Sequence, residues 1–260
     1  MSIPAPGYPL AAAVSPRLHV IETVDSTNAK LLRDAFDDPD GHPHLSALVT
    51  RDQTAGRGRL DRTWTTPPGS ALAVSVLLRV AAVPVASRGW IPLIAGEAMT
   101  AAVRAQADGL DVTLKWPNDV LVGGLKISGI LAEVMPGDPH TVVVGAGVNT
   151  AMTAAQLPVP TATSFAAANR EVDEDRLLAD FLAGLRDGIA ALAVGGAGLD
   201  DVRAQVAGAC GTIDAAVAVT LPDGTTLRGT AVRLDPEGRL VVDAAGVEHI
   251  VAAGDVVHVR

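Results

Sequence analysis

Apolar residues recur along this chain in two rhythms. From Glu174 to Val194 they fall at three- and four-residue intervals, with Leu177, Leu178, Phe181, Leu185 and Ile189 on one side, which predicts an amphipathic helix. From about Ile213 the period drops to two. Val217, Val219 and Leu221 alternate with smaller residues, and Pro222-Asp223-Gly224 then makes a turn. Leu227 to Leu234, Leu240 to Val242, Val247 to Val251 and Val256 to Val259 are further short runs parted by Gly- or Pro-bearing turns. Strands at this density predict a small β-barrel of about 45 residues. The change of rhythm puts a boundary near 210–215. The chain therefore divides into a Pro/Ala-rich, loose arm at 1–16, a main domain at 17–212 and a β-domain at 213–260.

The main domain mixes the two patterns. Leu18 and Val20 read as a short strand. Asp25-Ser26-Thr27-Asn28 supplies N-cap residues, and Ala29, Leu32, Ala35 and Phe36 follow at helical spacing until Pro39, Gly41 and Pro43. Leu45 to Thr50 and Ala71 to Val80 read as buried strands. Trp90 to Ala107 reads as a helix with Pro92 tolerated in its first turn. Val112 to Trp116 is a strand stopped by Pro117, which leaves Asn118 and Asp119 at a turn. Leu121-Val122, Gly123-Gly124 and Ile127 to Met135 predict a β-hairpin, and Thr141 to Val148 a strand ending at Asn149. Residues 150–163 read as loop, Gly195 to Gly198 as a helix-ending turn, and Leu199 to Ala207 as a short helix.

Composition narrows the classes. Hydrophobic residues reach 48% but aromatics only 3%, so the core must be built from Ala, Val, Leu and Ile. The net charge of −9 argues against general nucleic-acid binding, which draws its affinity from a basic patch. A lone cysteine, Cys210, excludes an intrachain disulfide and fits a reducing cytoplasm. In its Ala/Gly surroundings it reads as a small core filler. Met1 to Leu10 has no basic n-region, and no run of about 18 apolar residues lacks charges or breakers, so neither a secretory signal nor a membrane span is expected.

The chemistry must come from elsewhere than a nucleophile. No GxxxxGK[ST] phosphate loop, dinucleotide fingerprint or GxSxG elbow occurs, and His42 and His44 form an isolated HxH without metal-ligand spacing. Asp52 to Trp64, reading DQTAGRGRLDRTW, is the most unusual stretch. Gly56 and Gly58 let the backbone approach a ligand, and Arg57, Arg59 and Arg62 offer forked donors that match carboxylate and phosphate. A solvated surface loop would read the same way. Ser26, Thr27 and Asn28 have a helix cap as their plain alternative, Gln53 a surface position, and Asn118 and Asp119 ordinary turn chemistry. Lys126, between Leu125 and Ile127, points either to solvent or to a phosphate.

Together these pieces resemble a known family. DSTN (Asp25 to Asn28), QTAGRGR (Gln53 to Arg59), Arg62-x-Trp64, KWPND (Lys115 to Asp119), GLKISGIL (Gly124 to Leu131) and VVGAGVN (Val143 to Asn149) stand in the order and spacing of biotin protein ligases. The tail, GRL (Gly238 to Leu240) through AGDVVHVR (Ala253 to Arg260), is similar to that family's C-terminal SH3-like domain. The resemblance implies an α+β fold: a catalytic domain of the class II aminoacyl-tRNA synthetase type, with helices against one face of a mixed sheet, followed by a small SH3-like β-barrel. It also implies two half-reactions. Biotin and MgATP give biotinyl-5′-AMP, and a lysine of a biotin carboxyl carrier domain of an acyl-CoA or pyruvate carboxylase then takes the biotinyl group.

By the same resemblance, Ser26, Thr27, Asn28, Gln53, Gly56, Arg57, Gly58, Arg59, Lys126 and Gly129 would bind biotin. Arg59, Arg62, Trp64, Asn118, Asp119, Lys126 and Asn149 would serve the nucleotide. Lys126, Arg57, Arg59 and Asp119 would carry catalysis, with Mg2+ arriving on ATP rather than in a protein cage. The family loop often reads GRGRxGRxW, and here Leu60-Asp61 replaces its x-Gly, which bears on loop closure. Twenty-four residues precede Asp25, fewer than the DNA-binding module of bifunctional members needs, so no operator binding is expected. A monomer or weak homodimer in the cytoplasm, without nucleic-acid or membrane partners, completes the expectation. The rivals are a lipoate ligase, whose RRxSGGGxVxxD pattern is missing, a repressor sensing biotinyl-AMP, and a catalytically dead binder.

Overall fold

The computed structural model describes residues 7–259. Its first element is a helix, α1 (Pro9–Val14). Strand β1 (Leu18–Val20), helix α2 (Thr27–Asp37) and strand β2 (Ala47–Thr50) follow. Two short strands, β3 (Gly56–Arg57) and β4 (Thr63–Trp64), pair with each other. Then come β5 (Ala71–Arg79), α3 (Ile91–Arg104), β6 (Val112–Lys115), β7 (Asp119–Val122), β8 (Leu125–Met135) and β9 (Asp138–Asn149). Two helices, α4 (Glu174–Val194) and α5 (Ala197–Ala209), close the main domain.

The main sheet has seven strands in the order β1-β2-β5-β9-β8-β7-β6. Only the β1–β2 pair is parallel. Val74, Val76 and Leu78 of β5 face the layer formed by α3 and α4, where Phe181 and Leu185 are fully buried. Leu77, one residue out of phase, faces the other way and joins Leu31 and Ala35 of α2. Thus α3 and α4 cover one face, as the resemblance implies, while α2 covers part of the other. The remainder of that second face stays open and holds the site. Gly195 and Gly196, with φ of 76° and 66°, end α4 in a conformation that favours glycine.

The C-terminal unit is a five-stranded antiparallel sheet of β10 (Ala216–Thr220), β11 (Thr226–Leu234), β12 (Leu240–Ala244), β13 (Val247–Val251) and β14 (Asp255–His258). Its order is β13-β12-β11-β10-β14, so its ladder ends at β13 and β14 without closing a ring. Buried donors rivet it to the main domain: Trp90 Nε1 donates to the Pro236 carbonyl at 2.9 Å, and Trp116 Nε1 to the Gly238 carbonyl at 3.1 Å. Cys210 is buried, and burial pushes its thiol pKa up, as a packing residue's would be. No helix among the described residues is long and apolar enough to cross a membrane.

Two expectations fail locally. Residues 1–16 were expected as a loose arm; 1–6 lie outside the described residues, and from Tyr8 onward the segment is docked on α4. Pro9 starts α1 with a fixed φ, and Ala11 is fully buried. The Asp175 carboxylate of α4 accepts from Leu10 N and Ala11 N, both at 2.9 Å, capping a helix it does not belong to. In α2, Phe36 was expected on the apolar side but is 68% exposed, because Leu31 and Ala35 define the buried stripe instead. Removing the borrowed cap by Asp175→Ala should cost about 1–2 kcal/mol in urea unfolding. It should also expose the 7–16 segment to limited proteolysis, and unchanged protease resistance would contradict the docked-helix account.

Candidate active site

The open part of the second sheet face forms a cleft of about 370 Å3, within the usual range for small-molecule sites. Its floor is β8 and β9, where Gly129, Gly145 and Gly147 replace side chains with space. Each glycine has a neighbour in that space. A Cβ at Gly147 would lie 2.7 Å from Trp64 Cε2, one at Gly129 would lie 3.0 Å from Lys126 Nζ, and one at Gly145 would strike the Asn28 amide. The bare floor therefore lets Trp64, Lys126 and Asn28 lie close against the sheet.

At one end stand the residues that open α2. Gln53 Oε1 accepts from Thr27 N at 2.8 Å and from Thr27 Oγ1 at 3.1 Å, while Ser26 Oγ caps the helix at 3.5 Å from Ala29 N. Asn28 is saturated. It donates to the Leu131 carbonyl and to Glu133 Oε2, and accepts from Ser75 Oγ at 2.5 Å. Glu133 in turn pairs with Arg57 at 2.8 Å. The chain Ser75–Asn28–Glu133–Arg57 thus ties the sheet, α2 and the β3–β4 hairpin together.

The other end is cationic. Arg59 donates to Asn118 Oδ1 at 2.9 Å, and Asn118 is itself oriented by donating to the Ile130 carbonyl at 2.9 Å. Lys126 Nζ lies 2.6 Å from Asp119 Oδ1 and 5.9 Å from the Trp64 ring centre. Lys126 and Asp119 thus form a close ion pair. Arg62 pairs with Asp255 of β14. Lys115 lies nearby, and burial pulls its ammonium pKa down, as it does the Arg59 guanidinium; Asp119 offsets part of both effects. A protein of net charge −9 thus gathers Arg59, Arg62, Lys115 and Lys126 at this end, with Asp119 and Asp255 as the carboxylates among them.

Of the residues singled out from the sequence, all but Gly56 and Asn149 line the cleft. Gly56 is buried within the hairpin, opposite Trp64 in the β3–β4 pair, where a Cβ would meet the Trp64 carbonyl. Asn149 is buried at the end of β9, donating to the Thr163 carbonyl at 2.8 Å with Oδ1 left without a partner. His42 and His44 lie elsewhere. His42 Nδ1 is 2.9 Å from the Asp38 carbonyl, and His44 Nδ1 accepts from Arg79 N.

Comparison with known proteins places this arrangement. The model of the biotin/lipoate A/B protein ligase family matches residues 20–149, and that of the biotin protein ligase C-terminal domain matches residues 212–259. A biotin–[acetyl-CoA-carboxylase] ligase of Mycobacterium tuberculosis is 38% identical over 256 residues, covering 94% of this chain and 90% of the relative. The chain belongs to the biotin/lipoate A/B protein ligase family. The fold agrees. A biotin protein ligase of Aquifex aeolicus in complex with biotin and ATP superposes with a TM-score of 0.77 at 22% identity, covering 94% of this chain and 99% of that one. A biotin protein ligase of Leishmania major in complex with biotinyl-5-AMP gives 0.61 at 25% identity, covering 94% and 99%.

The cleft is also lined by residues not singled out from the sequence. Gly145 and Gly147 were visible as alternate glycines in an apolar strand, a pattern that marks close backbone approach. Lys115 sits in the KWPND run beside the residues that were chosen. Asp255, Val256 and Val257 come from the other domain, and no local pattern announces them. Gly147→Ala should lift the Trp64 ring off the floor. Because Trp90 and Trp116 are buried, acrylamide quenching of tryptophan fluorescence should rise in that variant while unfolding stays cooperative. Identical quenching would show that the glycine does not seat the ring.

Proposed function

We propose that this chain is an ATP-dependent biotin protein ligase. It forms biotinyl-5′-AMP and then passes the biotinyl group to a lysine of a biotin carboxyl carrier domain. The observation that carries the reading is the cleft's polarity: a neutral hydrogen-bonding end at Ser26, Thr27 and Gln53, and a cationic end at Arg59, Arg62, Lys115 and Lys126. A substrate with an uncharged ring system and a carboxylate fits that division, with the carboxylate delivered among the cations.

In the first step a biotin carboxylate oxygen attacks the α-phosphorus of ATP, and the bond to pyrophosphate breaks. Both partners are anions, so the barrier contains their repulsion. Fixed cations lower it without a nucleophile from the protein. Lys126 bridges the carboxylate and the phosphate. Arg57, Gly58 and Arg59 close over biotin and the adenylate, and Arg62 and Trp64 stand on the nucleotide side. Asn118 and Asn149 serve that side as well. A charged hydrogen bond contributes about 1.5–3 kcal/mol against about 0.5–1.5 for a neutral one, so Lys126 and the arginines dominate retention of the intermediate. Asn28, with every donor and acceptor engaged, positions Glu133 and Arg57 as well as flanking the biotin end.

In the second step the carrier lysine attacks the acyl carbon, AMP leaves, and the amine loses a proton. Asp119, the carboxylate paired with Lys126, receives it. Among the described residues no group of three or more His, Cys, Asp or Glu could hold a metal. Mg2+ would arrive on the phosphates of ATP and neutralise part of their charge. The protein acts in the cytoplasm as a monomer or weak homodimer, without DNA.

Pyrophosphate exchange into ATP tests the reading. Exchange should require biotin, ignore lipoate, and fall by at least about a hundredfold in Lys126→Ala, the loss expected when a charged transition-state contact is removed. Exchange supported by lipoate alone would transfer the chain to the other branch of its family. A shift of operator-like DNA in a gel would favour the repressor.

A further inference from the structure

The β3–β4 hairpin reaches across the cleft and is held at three separate places. Arg57 meets Glu133 of β8, Arg59 meets Asn118 of the turn after β6, and Arg62 meets Asp255 of β14. The last anchor comes from the C-terminal domain. Its position is not left to a flexible tail. Asp255 lies opposite Thr220 in the β10–β14 ladder. A Cβ on the preceding Gly254 would come within 2.8 Å of Val219 Cγ1 and 2.9 Å of the Thr220 carbonyl, so the chain passes close to its neighbour strand just before the carboxylate. At the other end of β14, His258 Nε2 is 3.1 Å from Thr212 Oγ1, which accepts from Trp116 N at 3.0 Å. Strand β14 is thereby fixed to the KWPND turn that bears Asn118 and Asp119.

Arg62 is also more than a surface cation. Its carbonyl accepts from Gly58 N at 2.7 Å and its N–H donates to the Arg59 carbonyl at 3.2 Å. Holding the Arg62 side chain therefore holds the backbone of Gly58 and Arg59. The pair itself is exposed, with Arg62 at 63% and Asp255 at 34%, so its direct effect on folding is small. Its leverage lies in where it sits, at the mouth of the cleft and between two domains.

We propose that Asp255 is a positioning residue of the ligase reaction: through Arg62 it latches the cationic hairpin across the cleft, so that the C-terminal domain sets how long the activated intermediate is retained. This rests on the ligase reading above. Asp255 touches no reacting atom and acts only through Arg62.

The test follows release of preformed biotinyl-adenylate from the full chain, alongside the kcat and KM of pyrophosphate exchange. Asp255→Asn should release the adenylate about threefold faster at low salt, the scale of an exposed ion pair, with exchange kcat within about twofold. Asp255→Glu should restore retention. In an Arg62→Ala background Asp255→Asn should add nothing, and raising salt should narrow the gap between the wild type and Asp255→Asn. Equal retention in Asp255→Asn, or a full additional effect on top of Arg62→Ala, would overturn the latch. A wild-type chain that forms no adenylate overturns the ligase reading, whereas one that forms it and keeps it equally well without Asp255 overturns the latch alone.

Discussion

Like charges crowded into a half-buried cleft repel, and the rest of this structure is arranged around that constraint. Arg59, Arg62, Lys115 and Lys126 converge on one end of the site. Burial works against the charge of Arg59 and Lys115. The protein holds the cluster by giving its members a local acceptor: Asn118 for Arg59, Asp255 for Arg62 and Asp119 for Lys126. Each acceptor stands on a strand end or a turn anchored by the sheet. The seven-stranded sheet, clamped by α3 and α4 behind it, therefore acts as the rigid plate on which a local positive potential is maintained against an acidic whole.

The same arrangement explains why the floor is glycine. A cation close to a sheet needs the sheet to lack side chains there, and Gly129 gives Lys126 that room. Gly145 and Gly147 do the same for Asn28 and Trp64. The hairpin above the floor carries its own local strain. Leu60 and Asp61 at its tip have φ of 54° and 56°, a region that costs a side chain about 1–2 kcal/mol and that glycine enters freely. The position where the family pattern has glycine is thus one where this chain uses Asp61 in a left-handed turn. The anchors at Glu133, Asn118 and Asp255 hold the hairpin in spite of that tip.

Much of this was legible in the residues, and what was missed shares a cause. The period of α4 and the alternation after Ile213 depend on each segment burying its own stripe, so local pattern sufficed. The N-terminal segment looked loose because its cap, Asp175, lies far away in sequence. Phe36 fitted a helical spacing, yet burial in α2 follows Leu31 and Ala35, because contact with β2, β5, β8 and β9 sets the face. The cleft's arginines, Lys126 and the KWPND turn each read equally well as solvated surface, and only their combination in the order and spacing of biotin protein ligases singled them out. Asp255 was not, since an acidic residue opening a short strand is ordinary until the fold brings it to Arg62 of the main domain.

The central claim is that Lys126 and Arg59 exchange their local acceptors for the phosphate of the intermediate, while Arg62 stays on Asp255. A crystal structure with biotinyl-5′-AMP bound tests it most directly. The account predicts that Lys126 leaves Asp119, that Arg59 turns from Asn118, and that both, with Arg57, come within hydrogen-bond distance of the carboxyl–phosphate linkage. Finding Lys126 still on Asp119 and Arg59 still on Asn118, with the phosphate met by neither, would contradict it.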